Sequence, residues 1–73
     1  MATVIHPGEH AMTITVNGRS IATNRVQLTV ARHMLKLHIV GIRNKVSPVS
    51  FMNRLTGERR TAKSWLTFLN SVL

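Results

Sequence analysis

The chain has 73 residues, ten Lys and Arg, two acidic residues and no cysteine, so its net charge is +8 and 44% of its residues are apolar. A chain this short forms one domain with a small core, and without cysteine neither a disulfide nor a thiolate metal site can stabilise it. The apolar fraction lies in the globular range, which excludes a wholly disordered basic tail.

The first ten residues show no periodicity, and we expect residues 1–10 to form a flexible arm before a single basic domain over residues 11–73. The start, Met1 to Gly8, lacks the basic and apolar runs of a secretory signal. No stretch approaches the ~18 uncharged apolar residues that span a bilayer. The sequence therefore predicts a soluble, cytoplasmic protein without a membrane partner.

A β-hairpin is predicted at residues 11–22. Apolar residues alternate with threonines over residues 11–16, and Asn17-Gly18 follows. Asn-Gly between two β-type segments is the strongest short hairpin signal, because both turn positions need a positive φ. The alternation places Met12, Ile14 and Val16 towards the core.

Residues 23–42 permit two interpretations. Asn24 and Gln27 have the spacing of a capping box, and apolar residues recur at helical spacing, at Val26, Val30, Met34 and Leu37. The same stretch also alternates in the manner of strands, at residues 26, 28 and 30 and again at 35, 37 and 39. We favour a helix over about residues 25–35 followed by a strand over residues 36–42, and a four-strand meander is the alternative.

Two helices are predicted after a polar connection at residues 43–46. Ser47-Pro48 has the residue types of a helix start, and Gly57 suits a left-handed helix end. The alternative is a strand over residues 49–55 with a turn at 56–58. A last helix over about residues 61–71 follows from Trp65, Phe68, Leu69 and Val72, which share one helical face. The predicted fold is α+β: a hairpin at about 11–22, a mixed middle segment, and helices at about 48–56 and 61–71.

The sequence predicts neither catalysis nor a cofactor. Glu9 and Glu58 are the only carboxylates, and cysteine and aspartate are absent, so carboxylate pairs, catalytic triads and magnesium sites lack their residues. The glycines are isolated and form no phosphate-binding loop. His6, Glu9 and His10 lie close in sequence, but we interpret the histidines as solvated rather than as metal ligands, because Pro7-Gly8 prevents helical pairing.

The positive charge is the feature most indicative of function. Eight excess charges on a small body attract polyanions, and the cations are densest before Trp65. The candidate partner-binding residues are Arg43, Lys45, Arg54, Arg59, Arg60 and Lys63. The three aromatic residues all fit core positions, so base stacking on single strands is disfavoured, while docking through phosphates or acidic protein surfaces stays open.

In size, charge and lack of cysteine the chain resembles the small phage-encoded regulators of bacterial RNA polymerase, of the inhibitor and antiterminator type found in Xanthomonas phage. The resemblance covers whole-chain size and composition, involves no motif, and assigns no residue. It implies a non-enzymatic protein in the cytoplasm of a bacterial host that docks near the RNA exit region, inhibits promoter use and permits readthrough of terminators. The alternatives are a sequence-tolerant binder of duplex DNA or RNA, and an inhibitor that occupies the nucleic-acid groove of another host enzyme.

Overall fold

The computed structural model of the chain describes residues 10–73 and shows a β-hairpin followed by three helices. The strands are β1 (Ala11–Val16) and β2 (Arg19–Asn24), and the helices are α1 (Arg25–Ile39), α2 (Pro48–Thr56) and α3 (Ala62–Val72). The predicted α+β class is confirmed. The predicted arm at residues 1–10 lies, except for residue 10, outside the described residues.

The hairpin is confirmed, and β2 extends to Asn24, two residues beyond the predicted end. The two strands are antiparallel, with Ile14 opposite Ile21 and Val16 opposite Arg19. Asn17 and Gly18 have φ values of 51° and 77°, the two positive values that a type I′ turn requires. Ile14 and Val16 are buried, so one face of this two-stranded sheet contributes to the core.

The predicted strand at residues 36–42 is wrong, and so is the four-strand meander, because α1 continues to Ile39. At its start, the Asn24 side chain accepts a hydrogen bond from the Val26 amide at 2.8 Å. The amides of Gly41 and Ile42 then donate to the carbonyls of His38 and Leu37, with Gly41 at φ 91°. This is a Schellman motif, which stops the helix and satisfies its last carbonyls.

Helix α1 buries a different face from the predicted apolar stripe. Leu28, Ala31 and Leu35 are its buried residues, whereas Val26 and Val30 remain half exposed. The buried face packs against α3, α2 and β2. Burial against three elements outweighs the strand propensity of the β-branched residues in this segment.

The bounds of α2 and α3 agree with the predicted helices. Ser47 caps α2 with Pro48 in its first turn, and Gly57 ends it in the left-handed region at φ 73°. The alternative strand at residues 49–55 is therefore wrong. Thr61 caps α3 by accepting from the Ser64 amide, and α3 contributes Trp65 and Leu69 to the core. The buried apolar core consists of Ile14, Val16, Leu28, Ala31, Leu35, Met52, Trp65 and Leu69.

Candidate polyanion-binding surface

Basic side chains of helix α2 and of the segments on either side of it lie along one side of the helix. Two adjoining concavities lie there, one lined in part by Lys45, Ser50 and Arg54, the other by Ser50, Arg54 and Arg59. They share Ser50 and Arg54, so the three cations follow the helix from the segment before it to the segment after it. All three are exposed. We call Lys45, Arg54 and Arg59 the basic row.

The basic row has few anions near it. Within residues 10–73 none of its members forms an ion pair, and the one ion pair in that range joins Arg60 to Glu58 at 3.4 Å. The Glu58 carboxylate also accepts a hydrogen bond from the Asn17 side-chain amide at 2.8 Å. The positive charge of the basic row is therefore available to a partner.

Arg19 is a basic residue of this region that was not among the sequence candidates. Its Nη1 lies 3.1 Å from the position that a Cβ at Gly57 would occupy, so its guanidinium sits beside the end of α2. A cation is favourable there, because the helix dipole places partial negative charge at the C-terminus. No local signal reveals this placement, since it depends on the hairpin turn docking through Asn17 on Glu58.

Arg60 differs from the other candidates, because its guanidinium is engaged within the molecule. The Arg60 Cζ lies 4.9 Å from the centroid of the Trp65 ring and 5.7 Å from that of Phe68, in addition to the Glu58 contact. Stacking of this kind holds an arginine against the core and supports local packing. Arg60 therefore stabilises the fold where α3 begins, and its guanidinium is less exposed to solvent than the side chains of the basic row.

The last two sequence candidates lie apart from the basic row. Arg43 is in the connection between α1 and α2, and Lys63 is in the first turn of α3. Both are exposed, but neither lines the two concavities beside α2. The structure thus joins Lys45, Arg54 and Arg59 into one surface and leaves Arg43 and Lys63 outside it.

An apolar groove of about 340 Å³ adjoins the basic row. One wall comes from α1 and the other from α2 and the segment that leads into it. The lining residues are Val26, Gln27, Val30, Ala31, Met34, Val46, Pro48 and Phe51. Val46 and Phe51 also line the concavity that holds Lys45 and Arg54. The apolar groove and the basic row therefore form one continuous surface, which the sequence did not reveal.

Among residues 10–73 no group of three or more His, Cys, Asp or Glu side chains could hold a metal ion. His33 and His38 are both exposed on α1, and His6 and Glu9 lie outside the described residues. No helix in this range is both long enough and apolar enough to cross a membrane.

Comparison of the chain with protein-family models, with curated proteins and with solved structures finds no match.

Proposed function

We propose that the chain is a non-enzymatic binding protein that regulates transcription by docking on bacterial RNA polymerase. The observation that carries the proposal is the basic row, three exposed cations along α2 that form no ion pair within residues 10–73. Such a surface attracts nucleic acid and acidic protein surfaces, both of which a transcription complex offers. The resemblance in size and charge to phage regulators directs the proposal to the polymerase.

A binding role also suits the scarcity of catalytic groups. Glu58 is the only carboxylate side chain among the described residues, and Asn17 and Arg60 already engage it. General acid–base or nucleophilic catalysis needs an acid, base or nucleophile within hydrogen-bond reach of a partner group that activates it. The surface beside α2 instead offers cations, two serine hydroxyls and apolar side chains, with no carboxylate or histidine among its lining residues.

The proposal is tested with purified bacterial RNA polymerase and a charge-reversal variant. Arg54→Glu with Arg59→Glu (the α2 variant) inverts two members of the basic row. Arg25→Glu with Lys36→Glu (the α1 variant) makes the same change in net charge at exposed positions of α1 that line neither concavity. Binding, promoter-dependent initiation and readthrough of an intrinsic terminator are measured for each protein after circular dichroism has verified its fold. We expect the wild type and the α1 variant to bind and to alter transcription, and the α2 variant to lose at least about tenfold in affinity at low salt.

Nuclease treatment separates the polymerase from nucleic acid as the partner. Polymerase subunits captured from a bacterial lysate should stay bound after nuclease treatment. If they are lost, and the protein binds naked duplex with a steep log–log salt dependence, it is a duplex-binding protein and the polymerase proposal is wrong. Equal binding of the α2 and α1 variants would show that the basic row is only a solvated surface.

A further inference from the structure

The apolar groove is an exposed surface that the core does not explain. Val26 and Val30, one helical turn apart on α1, are 50% and 52% exposed, and Val46 on the opposite wall is 63% exposed. No charged residue lines the groove, and Gln27 is its one polar side chain. A contiguous apolar surface of this kind on a small protein is typical of an interaction site.

The groove and the basic row together define what can occupy them. An occupant that lies across Val46 and Phe51 meets apolar side chains on one side and Lys45 and Arg54 on the other. It therefore needs apolar side chains on one face and negative charge beside them. An amphipathic segment with acidic flanks has this arrangement, and grooves of this type bind helices through side chains at i, i+3, i+4 and i+7.

Two other occupants match the surface less well. A second copy of the chain would bring cations against Lys45 and Arg54, because each copy has net charge +8 and only two carboxylates, of which Glu58 is already engaged. A nucleic acid would satisfy the basic row but has no aliphatic side chains for the groove. Charge complementarity therefore favours an acidic protein segment.

We propose that the groove between α1 and α2 binds an acidic amphipathic segment of a partner protein. The apolar side chains of the segment insert among Val30, Met34 and Phe51, and its carboxylates pair with Lys45 and Arg54. This inference rests on the proposed function, because the segment would belong to the polymerase or to a factor bound to it. It adds the docking face and the chemistry of the partner.

The first experiment titrates the isotope-labelled protein with a synthetic acidic peptide and follows its amide and methyl NMR signals. The peptide has about 15 residues, the length at which an isolated helix becomes marginally stable, with leucine at helical spacing and glutamate at most other positions. A scrambled peptide of the same composition is the control. We expect saturable shifts at Val26, Val30, Met34 and Phe51, and binding at least about tenfold weaker for the scrambled peptide, which has lost its apolar face.

Matched variants separate the apolar contribution from the charged one. Val30→Gln changes the groove, and Val40→Gln makes the same change at a side chain that is 71% exposed and outside the groove. Lys45→Gln with Arg54→Gln removes two charges at the groove, and Arg25→Gln with Lys36→Gln removes two elsewhere. We expect the groove variants to weaken binding of the peptide by about three- to tenfold and the control variants to leave it within about twofold.

Four outcomes would overturn the inference. In the first two, the acidic peptide fails to bind saturably, or the scrambled peptide binds equally well. In the other two, the protein forms concentration-dependent dimers that shift the groove signals, or a DNA duplex produces the same methyl shifts.

Failure of the groove inference can be distinguished from failure of the polymerase proposal. If the peptide binds the groove but the polymerase does not bind the protein, the groove inference stands and the proposed function fails. If the polymerase binds the Val30→Gln variant as tightly as the wild type while the peptide does not bind, the groove inference fails and the proposed function stands.

Discussion

At the scale of single residues, Asn53 connects three parts of the helical region. Its side-chain oxygen accepts hydrogen bonds from the Trp65 indole N–H at 2.9 Å and from the Arg60 amide at 3.2 Å. Asn53 belongs to α2, Arg60 to the connection and Trp65 to α3, where the indole side chain is fully buried. One acceptor thus satisfies the polar atom of the largest core residue.

Replacing Asn53 by alanine should destabilise the protein by about 1–3 kcal/mol, because the Trp65 N–H loses its partner inside the core. The free energy of unfolding is measured by urea denaturation followed by circular dichroism and by Trp65 fluorescence. Asn70→Ala, at an exposed position of α3, should cost less than about 0.5 kcal/mol. Asn53→Asp, which keeps the accepting oxygen, should retain more stability than the alanine variant. Equal losses for Asn53→Ala and Asn70→Ala would show that the shared acceptor contributes little.

The neighbours Arg59 and Arg60 show how far the candidate surface can be predicted from the sequence. Both are arginines in the same polar stretch, and the sequence assigns them the same role. In the structure Arg59 lines the concavity beside α2, whereas Arg60 stacks on Trp65 and pairs with Glu58. The difference depends on where α3 lies relative to the connection, and that is a tertiary property.

At the scale of elements, the ends of α2 and α3 were predicted well and the end of α1 was not. Ser47, Pro48 and Gly57 set the bounds of α2 through local contacts within one or two turns. The end of α1 was mispredicted because alternation at residues 35, 37 and 39 resembles a strand, while Gly41 closes a Schellman motif. Local hydrogen bonds decide such ends, and the alternation does not affect them.

Gly57→Ala should destabilise the protein by about 1 kcal/mol or more, because alanine is strained at φ 73° and its Cβ would meet the Arg19 guanidinium at 3.1 Å. Gly41→Ala is the matched control, since Gly41 has φ 91° but nothing within 4 Å of its Cβ position. Thermal unfolding followed by circular dichroism gives both values. We expect a larger loss at Gly57 than at Gly41, and a smaller loss for Gly57→Asn, because asparagine tolerates the left-handed region. A loss at Gly57 no greater than at Gly41 would mean that the Arg19 side chain moves aside freely.

At the scale of the whole molecule, a small core opposes a large net charge. Among residues 10–73, eight apolar residues form the buried core, while the net charge of +8 is spread over 73 residues. Like charges repel in the compact state more than in the extended chain, so they destabilise the fold. The same charges are the ones that would attract an acidic partner.

Added salt should therefore stabilise the free protein. Between about 10 mM and 100 mM NaCl the Debye length falls from ~30 Å to ~10 Å, which screens repulsion between distant cations. We expect the urea midpoint at constant pH to rise over this range, with a smaller rise for Arg25→Gln with Lys36→Gln, which carries two fewer charges. A neutral osmolyte at matched osmolality is the control for solvent effects. A midpoint that stays constant or falls would show that repulsion is not a main destabilising contribution.

The sequence by itself determined the features that depend on neighbouring residues. These are the Asn17-Gly18 hairpin, the caps of α2, the apolar face of α3 and the high positive charge, because turn conformations, capping bonds and net charge need no distant partner. Only the tertiary structure decided which face of α1 is buried, which basic residues line one surface, and that the apolar groove adjoins them. Those features arise where segments far apart in the chain pack together, and no local pattern encodes which of them meet.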